Sequence, residues 1–301
     1  MDHLIHKIRS RILAWLHRSR SGKISFLRCF SYKDIKRATD GFHRIIYSNS
    51  QGAAYKATFQ DGGIALVKEV KAFTGDENAF NRELEVLASL HHRHLLALRG
   101  FSYGHKRFLV FDNIENGSLK EHLNDPLKTP LSWKTRLEIA ISVAAALEYL
   151  ILFINPPIHI VSISSSTIML DENFTVKLSD VGLLGSTGHH VKMPPALSLE
   201  DGRGQECDDI VFQLGVLILE LVTGQSSGEG GTDLIEWIQE AHFSSSIYKM
   251  IDPDLGNNYD SRELKILLAV ARLCIKPVSR PTCSIPQIFR YLQKKVDISQ
   301  D

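Results

Sequence analysis

A dominant charge is missing from this sequence. Across 301 residues, 35 Lys and Arg stand against 34 Asp and Glu, a formal net charge of +1. No strong field draws a bulk polyanion, so nucleic acid is not expected as a partner. Cysteine is scarce as well, with Cys29, Cys207, Cys274 and Cys283 alone. None sits in a Cys-x-x-Cys pair or beside histidines at ligand spacing. That excludes a disulfide framework and a zinc module and leaves reduced thiols. Long apolar runs are absent too. The longest candidates, Ile139–Ile154 and Ile210–Val222, are interrupted by Glu148 and by Gln213 and Glu220, and read as buried helices, not membrane spans. The start carries no signal-peptide pattern, and Asp2 excludes N-myristoylation there.

What is present is an ordinary globular composition, 44% hydrophobic and 23% charged, at a length suited to a two-lobed body. Residues 1–23 differ from the rest. Lys7, Arg9, Arg11, Arg18, Arg20 and Lys23 face a single acid, Asp2, while Met1, Ile5, Ile8, Ile12, Trp15 and Leu16 recur at helical spacing. A basic face beside an apolar stripe predicts peripheral contact with an anionic membrane surface.

From Tyr55 the pattern turns to strands. Tyr55–Phe59 leads through the turn Gln60-Asp-Gly-Gly63 into the apolar strand Ile64–Val67, which ends at Lys68. A helix is expected over Glu77–Leu90, then strands over Leu95–Phe101 and Arg107–Phe111. The first 110 residues therefore read as sheet with one helix. Beyond Gly117 the chain reads as helical, over Ser118–Leu123, Trp133–Leu150, Asp208–Thr223, Thr232–Ala241 and Leu264–Cys274. A small hairpin at Ile168–Leu170 and Val176–Leu178 interrupts them.

Several local patterns carry a resemblance. Ala65-Leu-Val-Lys68 is similar to the strand bearing the ATP-clamping lysine of protein kinases, and Glu83 follows at the spacing of its glutamate partner. Phe108-Leu-Val-Phe-Asp-Asn113 resembles the gatekeeper and hinge, with Phe111 as gatekeeper. Asp180-Val-Gly182 stands where kinases carry Asp-Phe-Gly. Asp209 opens a stretch like that of the central C-lobe helix, and Arg280-Pro-Thr282 resembles the late C-lobe arginine motif. Phe30-Ser-Tyr-Lys-Asp-Ile35, Ala38-Thr-Asp-Gly-Phe42, Leu90-His-His-Arg-His-Leu95, Asn116-Gly-Ser-Leu119, Leu131-Ser-Trp133 and Leu219-Glu-Leu-Val-Thr-Gly224 are similar to plant receptor-like kinases of the Pelle-related group.

The resemblance implies an α+β, bilobal protein-kinase-like fold, with a small β-rich N-lobe and a larger helical C-lobe. It divides the chain into the basic segment 1–23, a kinase-like domain over 24–294 and a tail over 295–301. Within the domain the N-lobe runs over about 30–111, the hinge over 112–116 and the C-lobe over 117–294.

Phosphoryl transfer is mostly positioning and charge neutralisation, with an aspartate receiving the substrate proton and an asparagine and an aspartate holding magnesium. The family pattern His-Arg-Asp-Ile-Lys-Ser-Ser-Asn falls on Ile160-Val-Ser-Ile-Ser-Ser-Ser-Thr167. Ser162 takes the place of the catalytic aspartate, Ser164 of the phosphate-facing lysine and Thr167 of the magnesium asparagine. No His-x-Asp occurs between Leu150 and Asp180. A serine hydroxyl is no base at neutral pH, and threonine is a poor magnesium ligand. No catalytic residue is therefore expected.

The glycine-rich loop pattern falls on Tyr47, Asn49 and Gly52, so only its third glycine survives. Val161 replaces the arginine that would receive a phosphorylated activation loop. That segment has no clear Ala-Pro-Glu; Pro194-Pro-Ala196 is nearest, and Glu200 is the candidate partner for Arg280. The stacked core of the family falls on Leu87, Leu98, Val181 and Ile160, apolar at every position.

Retained positions imply weak nucleotide binding at Gly52, Leu66, Lys68, Glu83, Phe111, Asn113, Met169 and Asp180, with Asp180 as the one metal ligand. Leu66 and Ala54 exchange the sizes usual above adenine, so Leu66 is expected to crowd that slot. No cofactor is expected to be required, and ATP with magnesium would bind weakly. The expectation is a pseudokinase, acting as scaffold or allosteric partner of an active receptor-like kinase in the plant cytoplasm, at the inner face of the plasma membrane. The alternative is a weak serine/threonine kinase with residual ATP binding.

Overall fold

The computed structural model describes residues 27–49, 52–70, 77–103, 106–112, 114–159, 161–181, 205–226, 232–240, 250–275 and 283–297. Residues 1–23, Asn113, Ile160, the activation segment with Pro194, Pro195, Ala196 and Glu200, Arg280 and the end of the tail lie outside the described residues.

The N-lobe is a six-stranded sheet in the order β1-β5-β6-β4-β3-β2. Its strands are β1 (Arg28–Cys29), β2 (Ile45–Asn49), β3 (Gly52–Thr58), β4 (Ile64–Val70), β5 (Leu98–Ser102) and β6 (Arg107–Phe111). Side chains alternate between its faces with the two-residue period of a strand. In β4, Leu66 and Val70 join the main core while Ala65 and Val67 face the other side; in β6, Leu109 and Phe111 are opposed to Phe108 and Val110.

Helix α1 (Tyr32–Ala38) covers the outer face. Ser31 caps it, its Oγ accepting from the Asp34 N–H at 3.1 Å. Phe30, Ile35 and Ala38 bury against Tyr55, Val67 and Phe108, and the Phe42 ring stacks on Phe108 at 5.4 Å. This corrects the expectation of one helix in the first 110 residues. Seven residues give too little periodicity to separate α1 from a loop. Helix α2 (Glu77–Ser89) is the expected one and buries Phe80, Leu84 and Leu87 on the inner face.

The larger lobe contains α3 (Leu119–Asn124), α4 (Trp133–Glu148), the hairpin β7 (Ile168–Leu170) and β8 (Val176–Leu178), α5 (Gln205–Thr223), α6 (Thr232–Glu240), α7 (Ser261–Ile275) and α8 (Ile285–Asp297). Motifs that carried the resemblance have plain structural work here. Ser118 and Glu121 close a capping box on α3, and Ser132 caps α4. Directly after α4 the chain continues in a π-helical turn, Tyr149–Phe153, which a 3.6-residue period does not reveal. Helix α8 likewise has no counterpart among the expected helices, although Ile285, Ile288 and Leu292 bury one face of it.

Helix α5 is the axis of the lobe. Nearly every side chain from Ile210 to Val222 is buried, as the apolar run predicted. Arg136 of α4 is buried against it. Its guanidinium donates to the carbonyls of Leu131 and Leu221, each at 3.0 Å, and pairs with Asp252 at 2.6 Å. Among the described residues no helix is long and apolar enough to cross a membrane.

Candidate functional site

The site lies where the inner face of the sheet meets the loop between α4 and β7. Lys68, on β4, projects to that face because it shares the register of Leu66 and Val70. It is 1% exposed and forms a buried ion pair with Asp180. Burial works against the ammonium. The charge of Asp180, with smaller contributions from Tyr47 and Glu83, more than offsets it, so Lys68 is held above its ordinary value. Glu83, buried on α2, therefore contributes through its charge.

The other oxygen of Asp180, Oδ2, is buried with no hydrogen-bond partner among the described residues. A buried carboxylate oxygen of this kind would suit a cation. The neighbouring candidate ligand does not, because the Thr167 hydroxyl is committed to its own loop. Its Oγ1 donates to the Ser162 carbonyl at 2.9 Å and accepts from the Ser164 N–H at 3.0 Å.

From Val161 onward the catalytic-loop segment is held by hydrogen bonds to its surroundings, while Ser162, Ser164 and Thr167 stand at the positions expected to carry the family chemistry. Ser162 is half-buried, and its N–H donates to the Asp180 carbonyl at 3.0 Å. Val161 bridges Val181 in a short antiparallel contact. Gln213 and Glu220, read in the sequence only as interruptions of an apolar run, anchor this loop from α5. The Ile163 N–H donates to Gln213 Oε1 at 2.7 Å, and the Ser165 N–H to Glu220 Oε2 at 3.1 Å. Their polarity within an otherwise apolar helix was the available signal, since a buried polar side chain needs a partner. The Ser164 Oγ lies 2.8 Å from that of Ser166, so these two hydroxyls bond each other while Ser165 turns to Glu220.

Toward the hinge, Leu66 is fully buried and pairs across the sheet with Phe111. Leu66, Ala54, Phe111 and Met169 belong to one continuous core. The Asp112 carboxylate forms a two-point ion pair with Arg99. Leu87, Leu98 and Val181 are buried in the same core.

Gly52 survives for a reason in the sheet. At φ +151° its backbone lies so close to β4 that a Cβ would fall 2.1 Å from the Glu69 carbonyl oxygen. Any side chain would break the pairing of β3 with β4. Its retention needs no phosphate to explain it.

Tyr47 was not among the expected site residues, yet the structure brings it there. It is 8% exposed, and its hydroxyl lies 3.3 Å from Ser179 Oγ across the cleft. Burial pushes the phenol up, and it feels the charges of both Lys68 and Asp180.

A small twisted sheet with one inner helix, a helical lobe beneath it and a lysine–aspartate pair at their junction define the protein-kinase fold. Residues 44–230 match the protein tyrosine and serine/threonine kinase family, and the chain belongs to that family. Its relatives are receptor-like kinases. It is 40% identical over 294 residues to a probable receptor-like protein kinase of Arabidopsis thaliana, a match covering 91% of this chain and 44% of that protein. It is 30% identical to a proline-rich receptor-like protein kinase of the same plant, covering 90% of this chain and 45% of the relative. The chain thus spans less than half the length of these two relatives.

Among solved structures it is similar to the pseudokinase domain of BIR2, an immune regulator of the RLK/Pelle family. The TM-score is 0.75 at 29% identity, covering 90% of this chain and 86% of that one. The pseudokinase DRIK1, drought responsive inactive kinase 1, has a TM-score of 0.68 at 21% identity, covering 91% and 98%. At that identity the likeness is one of fold.

Proposed function

We propose that this chain is a catalytically silent member of the receptor-like kinase group, and that it works by binding an active receptor-like kinase as scaffold or allosteric partner. The observation that carries this reading is the catalytic-loop segment. Ser162 stands where the base belongs, and the Thr167 hydroxyl is bound within the loop. Losing a positioned base costs about 10²–10⁴ in rate. Meanwhile Gln213 and Glu220 hold the loop, so the architecture is kept without its chemistry. What remains to act is surface and conformation.

The test is reconstitution with purified kinase domains of receptor-like kinases. The reading expects a stable complex that also forms with a Ser162→Ala variant. Phosphate transfer by this chain without complex formation would contradict it.

A second reading, a weak serine/threonine kinase with residual ATP and magnesium binding, draws on the retained Lys68 and Asp180 and on the buried Asp180 Oδ2. It requires a nucleotide to enter between them.

The proposed location is the cytoplasmic face of the plasma membrane, supported by the basic, apolar-striped residues 1–23. Each basic residue near an anionic leaflet contributes about 1 kcal/mol. Flotation with phosphatidylserine vesicles is expected to recover the full chain and to lose a chain starting at residue 24. Equal recovery would remove membrane contact through this segment.

A further inference from the structure

Three features around Tyr47 have independent origins and converge. The first is backbone register. Strand β2 pairs with β3 through Ile45–Tyr55 and then Tyr47–Ala54, so two steps on β2 answer one step on β3. Such a bulge re-aims the side chains that follow it. It places Tyr47 opposite Ala54, and Ala54 pairs in turn with Lys68. Tyr47, Ala54 and Lys68 therefore form one cross-strand row on the inner face.

The second is size. Ala54, the middle member of that row, is fully buried and ends at a methyl, which leaves room for the phenol to lean across toward Lys68. The substitution of a small residue above the nucleotide slot and the substitution of a tyrosine for the first loop glycine thus fit each other.

The third is hydrogen bonding. The Ser179 hydroxyl donates to the Thr167 carbonyl at 2.7 Å. Its proton being committed, the contact at 3.3 Å requires the Tyr47 hydroxyl to donate to Ser179 Oγ. A directed chain runs from Tyr47 in the small lobe through Ser179 to Thr167 in the loop of the large lobe.

We propose that Tyr47 is an internal occupant of the phosphate subsite: its phenol fills the room beside the Lys68–Asp180 pair, closes the two lobes on each other without nucleotide, and shuts the cleft to nucleoside polyphosphates. The residues as they stand do not fit ATP with its metal ion. The backbone of a phosphate-cradling loop must approach the phosphates closely, and a buried aromatic ring at the first glycine position stands in that path. Conformation then follows the tyrosine. Anything that withdraws it opens the cleft and separates the lobes, and anything that grips the closed lobes keeps polyphosphates out. This deepens the proposed function by naming what holds the binding-competent shape, and it rests on that reading only for the purpose of the shape.

The experiment measures binding, not activity. Fluorescent ATP and unlabelled ATP with magnesium are titrated into the full chain, into Tyr47→Gly and into Tyr47→Phe, with melting curves recorded alongside. The unmodified chain is expected to show no saturable binding up to millimolar ATP. Tyr47→Gly is expected to bind at least about tenfold more tightly, while Tyr47→Phe, which keeps the ring and loses the hydroxyl, stays closed. If Tyr47→Gly does not melt cooperatively, Tyr47→Val carries the same expectation. Valine still covers Ala54 but is too short to reach Ser179. Micromolar ATP binding by the unmodified chain overturns the proposal, as does the absence of any gain in a folded Tyr47→Gly or Tyr47→Val. Failure here would leave the phosphotransfer result untouched, so the two readings fail separately.

Discussion

Two halves of the cleft have diverged in opposite ways. The catalytic-loop segment carries no family side-chain chemistry but keeps its backbone anchorage. The Lys68–Asp180 half keeps its side chains, but the pair is buried and closed upon itself. In the first half α5 does the holding, through Gln213 and Glu220. In the second the charges hold each other, with Tyr47 beside them. A buried ion pair is kept when removing one partner strands the other, whether or not anything binds there.

The sharpest way to break this comparison is to unpair the charges. Lys68→Met is expected to lower unfolding free energy by about 3–5 kcal/mol in urea, because Asp180 is left as a buried charge. Lys68→Met with Asp180→Leu is expected to recover most of that loss. A Lys68→Met chain as stable as the unmodified one would show that the pair is not structural.

Next in size are the loop anchors. Glu220→Ala leaves the Ser165 N–H and hydroxyl without this acceptor and is expected to cost about 1–3 kcal/mol. Ser162→Ala, at the former base position, is expected to stay within about 0.5 kcal/mol. Reversal of that order would place the loop's importance in its side chains.

The third prediction concerns pH. Burial lowers His94 from 6.5 to about 4, and its Nδ1 donates to the Val176 carbonyl at 3.3 Å in the neutral ring. A histidine whose folded value is depressed binds its proton more readily when unfolded. Its contribution is present above about pH 6.5 and is lost as pH falls toward 4. Between pH 7.5 and 5 this amounts to about 1–2 kcal/mol, allowing for the solvent that reaches the ring. The drop is expected to shrink in His94→Gln, and an unchanged pH slope would contradict it.

Much of this was legible in the sequence. The strands from β3 onward, the long helices other than α8 and the substitutions at Ser162, Ser164 and Thr167 follow from period and motif spacing, which are local properties. Strands β1 and β2 and helix α8 had no expected counterpart, and three further things were not legible. Helix α1 is short and gains its stability from the sheet's outer face, so its own pattern is weak. The π turn after α4 has the same apolar letters as the helix it ends. Tyr47 could be placed at a glycine position, but its direction depends on a bulge between β2 and β3, and one step of register turns a side chain to the other face of a sheet. Leu66 drew attention as the bulky residue in the cleft. It is buried in the common core, while the tyrosine two strands away reaches Ser179 across the cleft.

The most direct test of the central claim is a phosphotransfer assay with radiolabelled ATP at high enzyme concentration, with magnesium or manganese, on a generic basic protein and on the chain itself. The account predicts incorporation no greater than that of a folded Lys68→Met, Asp180→Leu control. Incorporation that rises with enzyme and disappears in that control would show that Ser162 and Thr167 do not silence the site, and would contradict the account.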